Sequence, residues 1–248
     1  MSDGMADGRG VTIVTGADRP RSIGAAIARR LAAEGRTLLL THAPDGPPDA
    51  DAGASVRGAA ADPSRVAVVA QDLADVDAAE TVLAAARATG AVTALVGCAT
   101  VSERDGADGL SAEGLDAAWA VNVRAHVLLA AGLVRALPAG ASGRIVLFTS
   151  GQGVGAMPDE LAYATSKGAL EAFVTSFAPA AAARGATINA IDPGPVDTGW
   201  MGDDDRAAAV RPDGQVAGPE AVVPLASFLL SDAARQVTGQ ILRARGGA

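Results

Sequence analysis

Short runs rich in β-branched residues alternate with longer alanine- and leucine-rich runs along almost the whole sequence, and that alternation leaves few architectures open. Parallel strands need a crossover of a dozen or more residues, and a helix is the usual one. The strand-like runs are Val11–Thr15, Thr37–Thr41, Arg65–Ala70, Ala94–Cys98, Arg144–Phe148, Thr187–Ile191 and Gln240–Leu242. Between them lie helix-like runs at Ser22–Glu34, Val76–Thr89, Ala112–Leu137, Glu160–Ala183 and Val222–Leu230. Gly35 stands where a helix end favours glycine, and Pro179 is expected to kink or interrupt its helix. The stretch 44–62, rich in Pro, Gly, Asp and Ala, is the least ordered-looking internal segment. The expected fold is α/β, with residues 1–248 forming one domain. Its centre is a doubly wound, seven-stranded parallel sheet with helices on both faces.

Composition removes several function classes. Asp plus Glu number 28 against 20 Lys plus Arg, giving a net charge of −8. Such a chain repels phosphate backbones, so nucleic acid is not an expected partner. A hydrophobic share of 49% with 30 glycines excludes wholesale disorder. No uninterrupted apolar run approaches the ~18 residues of a membrane span. The first ten residues are polar and acidic, without the pattern of a signal peptide. The lone Cys98 forms no internal disulfide, and one cysteine with two distant histidines, His42 and His126, makes a poor metal site. His126 reads as a packing or interface residue. A soluble, cytoplasmic protein without metal is expected.

Two stretches carry chemistry. The first is TGADRPRSIG, Thr15 to Gly24, between the first strand and the first helix. A glycine-rich turn there lets backbone N–H groups approach a pyrophosphate, and the helix N-terminus faces it with a positive dipole. Gly16 supplies the tight turn and Gly24 the close approach. Ser22 either caps the helix or bonds a phosphate oxygen, with Ile23 beside it. The second is Tyr163-Ala-Thr-Ser-Lys167. The chain has one tyrosine and one lysine, and the lysine follows the tyrosine by four residues, on one face of a helix. An ammonium beside a phenol favours phenolate and lowers the tyrosine pKa from its usual ~10. Such a tyrosine can act as general acid or base near neutral pH.

Ser150, just after the fifth strand, and Asn122, in the long helix after the fourth, complete a set. In type, order and spacing, Asn122, Ser150, Tyr163 and Lys167 resemble the catalytic tetrad of the short-chain dehydrogenase/reductase family. The resemblance runs from the first strand to Gly246-Gly247. It implies a Rossmann-type fold and hydride transfer between a nicotinamide cofactor and a carbonyl or secondary alcohol, most like a 3-oxoacyl-carrier-protein ketoreductase. By this resemblance Tyr163 exchanges a proton with the substrate oxygen and Ser150 steadies that oxygen. Lys167 holds the nicotinamide ribose and lowers the Tyr163 pKa, and Asn122 places a water leading to solvent. Asp72 and Leu73 match the adenine contact, and Ala99 the loop after the fourth strand. Pro193, Gly194, Val196 and Thr198 match the segment that binds the carboxamide. Gln152, Met157, Trp200 and Met201 line the substrate pocket by analogy, under a short lid at 200–216. The long helices 112–137 and 160–183 are the family's usual contacts, so a homotetramer or homodimer is expected.

The sequence departs from the family in two places. The glycine turn is two residues longer than usual, as in enoyl-carrier-protein reductases, which separate the tyrosine and lysine more widely. The family's Asn-Asn-Ala-Gly reads Gly97-Cys98-Ala99-Thr100, so the asparagine that braces the central strands is missing. An enoyl-thioester reductase-like enzyme and a non-catalytic nucleotide-binding sensor or scaffold are the alternatives. The second strand ends in Thr41-His42, without the acid that would bind a ribose 2′-hydroxyl. With Arg19, Arg21 and His42 near a 2′-phosphate, NADP(H) is favoured; Asp45 folding back would select NAD(H).

Overall fold

Residues 10–17, 19–44, 52–199 and 216–244 are described by the computed structural model. The strands are β1 (Val11–Thr15), β2 (Thr37–His42), β3 (Val66–Ala70), β4 (Val92–Gly97), β5 (Gly143–Phe148), β6 (Ala186–Asp192) and β7 (Ile241–Arg243). All pair in parallel, in the order β3-β2-β1-β4-β5-β6-β7. β1, β5 and β6 are buried at every residue, as strands covered on both faces should be.

The helices are α1 (Ile23–Ala33), α2 (Ala52–Ala59), α3 (Ala78–Thr89), α4 (Gly106–Gly109), α5 (Ala112–Ala118), α6 (His126–Ala136), α7 (Leu161–Ala182) and α8 (Val223–Leu229). One sheet face packs Leu83 of α3, Leu129 and Leu133 of α6, and Leu170 and Val174 of α7. The other packs Ile27 and Leu31 of α1 with Ala226 and Leu229 of α8. Strand order reverses between β1 and β4, so their outgoing chains diverge and leave a crevice at the carboxyl ends.

Three expectations change. The stretch 44–62 holds α2, which buries Val56 completely. Residues 45–51, with Asp45, lie outside the described residues. The helix expected at 112–137 is α5 and α6 joined by a π-helical stretch, Trp119–Ala125, which contains Asn122. Pro179 does not break α7: the helix runs through it to Ala182, and its carbonyl accepts from Ala183 N at 3.1 Å. The joined run Ala112–Ala136 is long and apolar enough to cross a membrane by length and composition alone. Yet 61% of its apolar window is buried in the protein, as befits a core helix.

The glycine turn sets the crevice floor. Gly16 has φ +68°, and a Cβ on it would lie 2.5 Å from Ala99 N. A Cβ on Gly24 would lie 2.5 Å from the Gly16 carbonyl oxygen. Both contacts are with backbone, which cannot swing aside as a side chain does. Gly24→Ala is expected to cost about 1–3 kcal/mol by overpacking. It should also weaken cofactor binding by lifting α1 from β1. Denaturant unfolding and a nicotinamide titration check the two effects.

Candidate active site

The exits of six strands meet in one crevice of about 810 Å³. Its walls include Gly16 after β1, His42 of β2, Asp72 after β3, Cys98 after β4, Ser150 after β5 and Pro193 after β6. Arg19, Ile23 and Gly24 line one wall with Ser22, whose hydroxyl accepts from Ala25 N at 3.0 Å. Ser22 therefore caps α1. Arg21 lies off the crevice. Its guanidinium pairs with Asp197 at 3.0 Å, joining the glycine turn to the segment after β6. Leu73, Ala99, Gly194, Val196 and Thr198 line the crevice with Met157. The Asp72 carboxylate accepts from Ala74 N at 2.8 Å, and His42 Nδ1 lies 2.9 Å from the Ala43 carbonyl.

The reactive end gathers Ser150, Tyr163 and Lys167. Ser150 and Tyr163 both face the crevice, with the Ser150 side chain beside the phenol. Lys167 is 3% exposed and sits behind them, its Nζ donating to the Phe148 carbonyl at 2.9 Å and lying 5.4 Å from the Tyr163 ring centre. The expected lowering of the tyrosine pKa is not what this geometry gives. Burial pushes the Tyr163 phenol up, Ser150 pulls it partly back, and Glu160 and Asp192 push it up further. Burial also lowers the Lys167 ammonium to about 8, so it is itself a desolvated, weakened cation.

Asn122 is fully buried and does not line the crevice. Its Nδ2 donates to the Val101 carbonyl and to Ser166 Oγ, both at 2.9 Å. Its Oδ1 accepts from Val101 N at 2.8 Å and Thr100 Oγ1 at 3.1 Å. The side chain thus ties the β4 exit to α7. Gln152 departs from the expected substrate wall: its Nε2 donates to Glu171 Oε1 at 2.8 Å, which holds the amide away from the crevice. Trp200 and Met201 lie outside the described residues, as does nearly all of the lid segment.

No motif in the sequence singled out the residues just beyond Thr100. Val101, Ser102 and Arg104 line the crevice, with Glu160 opposite, and Ser102 Oγ donates to Glu160 Oε1 at 2.8 Å. The reversal of strand order at β1 and β4 is the signal that marks this loop as a crevice wall. Asp105 was missed too. Its carboxylate accepts from Leu161 N at 2.7 Å and Ala162 N at 2.9 Å, capping the helix that carries Tyr163. The Ala162 and Leu161 N–H groups hold this carboxyl below the usual range.

A family model described as enoyl-(acyl carrier protein) reductase matches residues 16–248. An uncharacterised oxidoreductase of Bacillus subtilis is 35% identical over 246 residues, 96% of each chain. The 3-oxoacyl-[acyl-carrier-protein] reductase of Escherichia coli is 31% identical over 252 residues, again 96% of each. A solved 3-oxoacyl (acyl-carrier-protein) reductase of Agrobacterium tumefaciens, with NADP bound, superposes with TM-score 0.83 at 26% identity, covering 94% of this chain and 92% of that one.

The chain belongs to the short-chain dehydrogenase/reductase family. It is an NAD(P)-dependent oxidoreductase. The crevice suits a dinucleotide on its own evidence. The glycine turn brings backbone against it, α1 points its N-terminus at it, and it reaches from the ends of β2 and β3 to Tyr163.

Two outcomes follow from the electrostatics. Asp105→Asn replaces one carboxylate oxygen by a donor facing Ala162 N. It should lower the unfolding midpoint and reduce kcat more than it raises KM, because the affected helix carries Tyr163. Lys167 titrates lower in the folded protein than in the unfolded chain, where its value is near 10.5. Between pH 8 and 10.5 the unfolded chain therefore binds more protons, and stability rises with pH across that window. In Lys167→Met this slope should vanish and the thermal midpoint at pH 7 should rise, while turnover is lost. Calorimetry across that range with a paired activity assay checks it.

Proposed function

We propose that the protein is an NADPH-dependent ketoreductase acting on 3-oxoacyl thioesters or comparable ketones. The observation that carries this reading is Ser150 and Tyr163 together on the crevice wall, with the Lys167 ammonium buried 5.4 Å from the tyrosine ring centre. The dinucleotide supplies the hydride when bound. Gly16, Ser22, Ile23 and Gly24 form its pyrophosphate cradle, with Asp72, Leu73 and Ala99 along its adenosine half. Pro193, Gly194, Val196 and Thr198 hold the nicotinamide end. Arg19 and His42 line the crevice where a 2′-phosphate would lie, whereas Arg21 stands off it beside Asp197. The bound NADP of the Agrobacterium relative agrees with this preference.

In the reaction Ser150 donates to the substrate oxygen and holds it beside the Tyr163 hydroxyl. Tyr163, kept protonated by burial, gives up its proton as negative charge develops on that oxygen. The Lys167 ammonium stabilises the phenolate that remains. Asn122 acts through Ser166, holding α7 in place. Met157 and the Val101–Arg104 loop wall the substrate end. Leu115, Trp119 and Leu128 stand exposed along α5 to α6, offering an apolar face to a second copy. Homodimer or homotetramer is part of this reading, and light scattering tests it.

The test is turnover with NADPH and NADH against a 3-oxoacyl thioester and an enoyl thioester. Oxidation of NADPH by the first alone supports the reading; oxidation by the enoyl substrate alone overturns it. Tyr163→Phe should cut kcat by about 10²–10⁴-fold yet leave NADPH binding intact. For ketone reduction kcat should hold steady below about pH 8 and fall above it, as Lys167 loses its proton. Normal turnover by Tyr163→Phe would remove the tyrosine from the mechanism.

A further inference from the structure

His126 is a buried imidazole that the mechanism above does not use. It is 1% exposed and held at both ends. Nε2 lies 2.9 Å from Thr15 Oγ1, and Nδ1 lies 3.1 Å from the Asn122 carbonyl oxygen. Thr15 Oγ1 already accepts from Cys98 N and Ala99 N, each at 3.1 Å. With both lone pairs taken, the hydroxyl has only its proton to offer the ring. Nε2 must therefore accept, which leaves the proton on Nδ1 to donate to Asn122. The His126 backbone N–H bonds the Val123 carbonyl and so does not compete for that of Asn122. This assignment makes the ring neutral. Burial and the Lys167 ammonium lower its pKa to about 4, in agreement.

The chain of bonds continues past Asn122. Its Nδ2 donates to Ser166 Oγ, and Ser166 Oγ donates to the Tyr163 carbonyl at 2.7 Å. One side chain thus stands between the β1–β4 edge of the crevice and the helix that carries the tyrosine. The room for it comes from Gly97. A Cβ there would lie 2.6 Å from His126 Cδ2 and 2.7 Å from Leu147 Cδ2. The side chain missing at Gly97 and the imidazole at position 126 are two halves of one arrangement.

We propose that His126 is a positioning residue that couples the cofactor edge of the site to its proton-transfer helix. Its Nε2 end fixes Thr15 and, through it, the Cys98–Ala99 edge. Its Nδ1 end fixes Asn122 and, through Ser166, the register of Tyr163 and Lys167. The inference rests on the proposed roles of Tyr163 and Lys167.

The two ends can be cut separately. His126→Gln keeps an acceptor within reach of Thr15 and loses the donor to Asn122. His126→Asn keeps a donor one turn from the Asn122 carbonyl and loses reach to Thr15. His126→Phe keeps the volume and loses both. NADPH affinity is read by nicotinamide fluorescence, and kcat is measured at saturating cofactor with the 3-oxoacyl thioester. His126→Asn should weaken NADPH binding about tenfold with kcat nearly kept, the effect of roughly one lost hydrogen bond. His126→Gln should lower kcat about tenfold with affinity nearly kept. His126→Phe should show both losses. Opposite splits for Gln and Asn support the coupling even if His126→Phe fails to fold. Equal losses in both, tracking the unfolding midpoint, overturn it, as does wild-type behaviour of all three. If the wild-type chain binds NADPH but reduces no ketone, the ketoreductase reading fails. The affinity contrast between Asn and Gln then still decides the Thr15 end.

Discussion

The Thr15 hydroxyl holds the site together at its weakest point. Where strand order reverses, the chains leaving β1 and β4 turn to opposite faces of the sheet. Backbone groups just past the strand ends then lose their ladder partners, and each left unpaired in a buried place costs about 1–3 kcal/mol. Thr15 Oγ1 accepts two of them, Cys98 N and Ala99 N. That pulls the β4 exit so close that Gly16 has no room for a Cβ. The crevice floor, the glycine turn and the start of α1 all take their positions from this contact.

The reactive end obeys a different constraint, the scarcity of water. Lys167 gives up hydration for one carbonyl, so its ammonium is destabilised where it stands. The same burial keeps the Tyr163 phenol protonated. Each effect costs stability or ease of ionisation, yet together they suit a group that must deliver a proton while charge grows nearby. Asp105 carries part of the cost from outside, by capping the helix on which both residues ride.

Most of the architecture was legible because it rests on patterns that physics repeats along the chain. Buried parallel strands must be apolar, crossovers must be helical, and a cofactor turn must be glycine-rich. Tyr163 and Lys167 came together as their spacing implied, and Ser150 lies on the same crevice wall as the family resemblance implied. What stayed hidden depends on contacts between distant residues. Nothing in WAVNVRA distinguishes a π-helical stretch from an α-helix, since the difference lies in one inserted residue per turn, not in composition. Nor does the sequence around Arg21 reveal an aspartate 176 positions away. Gln152 looked like a pocket residue by its place after Ser150, and only the fold shows Glu171 within reach. The Gly97 departure was visible, but its meaning needed His126 beside it.

The Arg21–Asp197 pair shows how a longer glycine turn changes the site without touching its chemistry. Two more residues give the turn extra reach and an extra arginine. An exposed ion pair would add little, but Asp197 is only 8% exposed in its side chain and also accepts from Gly199 N at 2.9 Å. The carboxylate is thus fixed before Arg21 arrives, so less ordering is needed to form the pair. The turn and the segment after β6 both line the crevice. The pair fastens these two stretches of the wall to one another. Arg19 stays on the crevice wall with His42. Extending the turn therefore sends its two arginines to different places, Arg21 to the Asp197 carboxylate and Arg19 to the crevice wall.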